Sequence, residues 1–67
     1  MSEQWVRIYS SKFVYQVEIA QAILKDYQIE SVIVNKQDSS YHFGEIELHV
    51  HPDNSIKALQ TINKENL

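Results

Sequence analysis

The rhythm of apolar and polar positions changes repeatedly along this chain, and the order of the rhythms predicts β-α-β-β-α. Trp5 to Ser10 alternates, with Val6 and Ile8 on one side and Trp5, Arg7 and Tyr9 on the other, which reads as a first strand. Ser10 or Ser11 offers a hydroxyl N-cap for the helix that follows. Phe13, Val17, Ala20, Leu24 and Tyr27 then recur at helical spacing, with Val14, Ala22 and Ile23 at the margins, as the stripe of an amphipathic helix. That helix ends near Tyr27 or Gln28, because Ile29 to Asn35 concentrates β-branched residues and reads as a second strand. Lys36 to Phe43 is polar and too long for a tight hairpin, so a loop is expected before Gly44. From Glu45 to His51 the alternation is strict, Ile46, Leu48 and Val50 against Glu45, Glu47, His49 and His51. Pro52 to Ser55 starts a short second helix carrying Ile56, Leu59 and Ile62, expected to fray from Glu65 to Leu67.

This order predicts an α+β fold of the ferredoxin-like plait class, read as one domain over residues 1–67. Two helices cover one face of a three-stranded sheet, and the right-handed crossover through the first helix leaves a gap that the third strand fills. The sheet order is then 1-3-2, with the third strand antiparallel to both neighbours and the first strand left as a free edge. Arg7 comes within cross-strand reach of Glu47 or Glu45 on the uncovered face.

Composition narrows the function classes. A chain of 67 residues without cysteine has neither a disulfide staple nor a thiolate zinc site, so stability rests on packing or self-association. The formal charge of −3 and the scattered lysines argue against a nucleic-acid surface. No segment reads as a secretory leader or a membrane span, so a cytoplasmic setting without membrane contact is expected. The serines lie in no nucleophile-elbow context, Glu45 and Glu47 sit on an open strand instead of a cleft, and a single glycine cannot make a phosphate-cradling loop; no enzyme and no cofactor are expected. His49 and His51, two apart on one strand, could join Glu45 and Glu47 as metal ligands, but they form a partial set, and a solvated polar face is the preferred reading.

The candidate contact surface is the uncovered face, where Trp5, Arg7 and Tyr9 lie with Ile33 beside them, together with Tyr41 and Phe43 of the loop. Tryptophan and tyrosine supply large apolar area with a polar handle, which suits a protein partner or a second copy of the chain.

Ile8-Tyr9-Ser10, Glu18-Ile19-Ala20 with Ile23-Leu24, the strand Ile29 to Val34, the run Gly44 to Val50, and Pro52 ahead of Ala58-Leu59 together resemble a small bacterial family of signal-transducing proteins, over nearly the whole chain. That resemblance implies a truncated plait similar to the PII nitrogen-signalling fold, with regulatory contacts at the loop between the second and third strands. The family commonly has Gly then Ile after the first helix, where this chain has Gln28-Ile29. A left-handed cap at Gln28 would cost about 1 to 2 kcal/mol, so another shape of helix exit is expected. The loop is much shorter than in PII proteins and has no recognisable nucleotide site. The expectation is therefore a non-enzymatic regulatory domain acting by protein contact, with a homodimer as one form; the alternative is a small-molecule or metal sensor of the same fold that uses Glu47, His49 and His51.

Overall fold

The computed structural model describes residues 4–37 and 44–67. Strand β1 (Val6–Ser11) leads to helix α1 (Val14–Asp26), strand β2 (Ser31–Asn35) and strand β3 (Ile46–Val50); a 3-10 turn (Pro52–Asn54) then opens helix α2 (Ser55–Lys64). The sheet order is β1-β3-β2, antiparallel throughout, with both helices packed on one face. This is the α+β plait expected from the periodicities.

The strict alternation of β3 sets the core. Ile46, Leu48 and Val50 turn to the helices and are buried against Val17, Ala20 and Leu24 of α1, Ala58 and Ile62 of α2, and Ile8 and Ile29. Burying one Leu or Val side chain contributes about 1.5 to 3 kcal/mol, so this cluster outweighs every polar contact on the sheet. Thr61 is buried beside it with its hydroxyl satisfied, donating to the Lys57 carbonyl at 2.8 Å.

A β-bulge changes the phase of β1. Arg7 pairs with His49 but Tyr9 pairs with Leu48, so Ile8 and Tyr9 in succession lie with the core, and Ser10 returns to the open side opposite Glu47. Tyr9, expected on the open face, is half-buried against the core cluster instead. A related correction applies to β2. Ile33 pairs with Leu48 on the helix side, and the open face receives Val32 opposite His49 and Val34 opposite Glu47.

The start of α1 also differs from expectation. Ser11 closes β1, and its hydroxyl accepts from the Phe13 N–H at 3.0 Å; the N-cap position is Phe13, with no side-chain cap. That position lies before the first turn, so Phe13 falls off the buried stripe and is 55% exposed, its ring tilted against Tyr15.

Both helices end in Schellman geometry. After α1, Ile29 N–H donates to Leu24 O and Gln28 N–H to Lys25 O, each at 2.9 Å, with Gln28 left-handed at φ 62°. The left-handed cap is therefore adopted, although no glycine is present. The burial of Ile29 against Leu24, at 2% and 0% exposure, supplies the apolar contact that holds it. After α2 the same pair of bonds, Leu67 N–H to Ile62 O and Asn66 N–H to Asn63 O, closes the chain around Asn66 at φ 63°, where fraying was expected. Gln28→Gly is expected to raise stability by about 0.5 to 1 kcal/mol, since glycine removes the left-handed strain but adds freedom to the unfolded chain. Urea titration checks it; a loss of stability would mean that the Gln28 side chain matters more than its backbone.

Candidate functional site

The uncovered face of the sheet is organised around Glu47. Glu47 lies on the middle strand, between Ser10 of β1 and Val34 of β2, and its position opposite the helices follows from Leu48 and Ile46 facing them. His49 Nε2 lies 2.9 Å from its carboxylate, Arg7 Nη1 3.4 Å and Lys36 Nζ 3.6 Å. A carboxylate only accepts, so His49 Nε2 carries the proton in this contact. The cluster is graded in exposure: the Glu47 side chain is 12% exposed, Arg7 and Lys36 about 60%. The hydrogen bond with His49, followed by the charges of Lys36 and Arg7, holds the Glu47 carboxyl below its ordinary value of 4.5, against desolvation acting in the opposite sense.

Such a carboxylate is ionised at neutral pH and already engaged on three sides. It orients two cations toward solvent and is poorly placed to take up a proton as a base. The expected Arg7 to Glu47 contact is thus present; Glu45 instead contributes its backbone carbonyl, which accepts from Lys36 N–H at 3.2 Å.

His51 lies at a corner of the face, its Nδ1 accepting from Asp53 N–H at 3.1 Å and so capping the 3-10 turn. Trp5 meets the His51 ring edge-on, with centroids 6.1 Å apart. His49 is turned to Glu47 and His51 to the turn, so the two imidazoles do not converge. Among the described residues no three His, Asp or Glu side chains come together to hold a metal ion.

The structure brings Trp5, Arg7, Glu47, His49 and His51 to one face and places Tyr9 elsewhere. Tyr41 and Phe43 of the expected loop surface, and His42 between them, lie outside the described residues. The chain, compared with family models, curated proteins and solved structures, matches none of them.

Three residues of the face were not expected there. Val32 and Val34 escaped notice because β2 is apolar on both sides, so its alternation gives no phase. Lys36 read as loop, although its even spacing from Val34 and Val32 continues the same side of the strand. A groove of about 610 Å³, bounded by Glu18, Gln21, Ala22 and Lys25 of α1 and by Glu30 and Ser31, opens beside β2. Periodicity carries no signal for it, since its walls belong to two elements that meet only in the fold. Among the described residues no helix is long and apolar enough to cross a membrane.

Proposed function

We propose that this chain is a non-enzymatic regulatory domain that works by protein–protein contact through the open face of its sheet. The cytoplasmic signalling role implied by the family resemblance, and self-association as one form of contact, belong to the same reading.

One observation carries it. Arg7 and Lys36 project about 60% exposed from a shared carboxylate that is nearly covered, with Val32 41% exposed and Trp5 at the margin. Cations held in position beside exposed apolar area suit recognition of a protein surface bearing a carboxylate, because their geometry is set before the partner arrives.

The test is photo-crosslinking in the native host, with a benzophenone amino acid in place of Trp5 and a control at Ile56, which is 71% exposed on α2. A discrete adduct from position 5 that is absent from position 56 and is abolished by Arg7→Glu is the expected result. Equal adducts from both positions, or none from position 5, would overturn the reading.

A further inference from the structure

We propose that β2 is a dimerisation edge, through which two copies of the chain pair antiparallel about a two-fold axis at Ile33 to form one continuous six-stranded sheet. The proposal goes beyond the open-face reading above and is argued independently of it, naming a second copy as partner and the strand edge as the site.

The sheet order leaves β1 and β2 at its two margins, and the margins are unequal. The register of β1 slips between Arg7 and Tyr9, and a bulge of this kind twists an edge away from further pairing. Strand β2 pairs with β3 without a break from Ser31 to Asn35 and contains no proline, glycine or charge. Among the described residues, no bulge, proline or charge interrupts this edge.

The backbone is in phase for the pairing. Lys36 N–H donates to Glu45 O on the β3 side, so the even-numbered residues of this segment turn their amide groups inward. By alternation Ser31, Ile33 and Asn35 direct theirs outward. The outward sense of Ser31 agrees with its carbonyl accepting from Gln21 Nε2 of α1 at 3.2 Å, and a carbonyl oxygen can accept a second bond. An axis at Ile33 makes Ile33 and its copy a mutually hydrogen-bonded pair and sets Ser31 opposite Asn35 of the second copy.

Side chains select the same register. On the open face Val32 meets Val34 of the second copy, so four valines gather at the junction, and Glu30 meets Lys36 of the second copy on either side. That lysine already lies 3.6 Å from Glu47, so Glu30 adds a second carboxylate to it. Moving the axis to Val32 or to Val34 sets Glu30 or Lys36 opposite a valine and loses both charge pairs. The sequence around Ile33 is thus self-complementary in charge and in apolar character, as a two-fold interface requires.

The experiment is sedimentation and light scattering of the full chain over a dilution series, with amide hydrogen exchange on the same samples. A dimer is expected, with the Ile33 amide protected at high concentration and exchanging faster on dilution. Glu30→Lys should raise Kd about tenfold, because two attractive cross-strand pairs become repulsive. Lys36→Glu should do the same, and mixing the two variants should restore a heterodimer in which every such pair is again opposite in sign. Circular dichroism confirms that each variant is folded; if Lys36→Glu is not, Glu30→Lys and the exchange of Ile33 still decide. A chain monomeric up to about 1 mM overturns the proposal, as does a dimer that is indifferent to Glu30→Lys and leaves the Ile33 amide unprotected. Failure of the open-face reading shows separately, as loss of the specific Trp5 crosslink while the β2 dimer persists.

Discussion

Leu48→Ala is expected to leave much of the chain unfolded at room temperature. Leu48 is fully buried at the centre of β3, with Tyr9 and Ile33 on its flanks and the helices above it. Truncation removes its transfer free energy and opens a cavity in the middle of the sheet, where backbone pairing on both sides prevents collapse. Such losses run about 2 to 5 kcal/mol. A domain of this length has only about 3 to 10 kcal/mol in total, so the variant forfeits a large share of its stability. Urea unfolding followed by circular dichroism measures it, with Leu59→Ala as control; Leu59 is 45% exposed on α2, and its truncation should change stability by no more than about 0.5 kcal/mol. Equal effects from the two substitutions would mean that the core is not centred on β3.

Gly44→Ala is the second large effect. Gly44 has φ +90°, and a Cβ there would run into the carbonyl oxygen of Lys36. The obstacle is backbone, and it belongs to the segment where Lys36 N–H bonds Glu45 O at 3.2 Å, so relief requires pulling apart the end of the β2-β3 ladder. Left-handed strain and loss of that ladder end together cost about 2 to 4 kcal/mol. Thermal melting gives the total, and the exchange rate of the Lys36 amide locates it. A normal melt with an unchanged Lys36 amide would show that the close approach of Gly44 to Lys36 is dispensable. Because Lys36 also holds its place at Glu47, the variant should loosen the open face before it loosens the core.

The elements were legible where one physical signal dominated. In β3 a polar residue follows every apolar one, so strand, core side and open side come out of the same seven residues, and of the two glutamates expected within reach of Arg7, Glu47 is the one that meets it. The sheet order followed from chain connectivity alone. Phase failed where both sides of a strand are apolar. Nothing in Val6 to Ser10 marks the bulge, since Ile8 and Tyr9 are each at home on either face; the pairing with Leu48 decides it. Val32, Ile33 and Val34 are equally ambiguous, and the core took Ile33. Gln28 was legible as a departure from a glycine cap but not as a cap in its own right, because the compensating contact, Ile29 on Leu24, is a matter of tertiary packing.

The bulge in β1 also bears on how large an assembly of this chain can grow. A sheet with two receptive margins adds subunits at both ends without limit, and polymerises into fibres. With one margin kinked, any union through the other exhausts the means of extension, and the kinked strands are left outermost on both flanks. If β2 pairs as proposed, one extra residue in a six-residue strand would act as a chain terminator, limiting the assembly to two and guarding a small, apolar-edged domain against amyloid-like stacking.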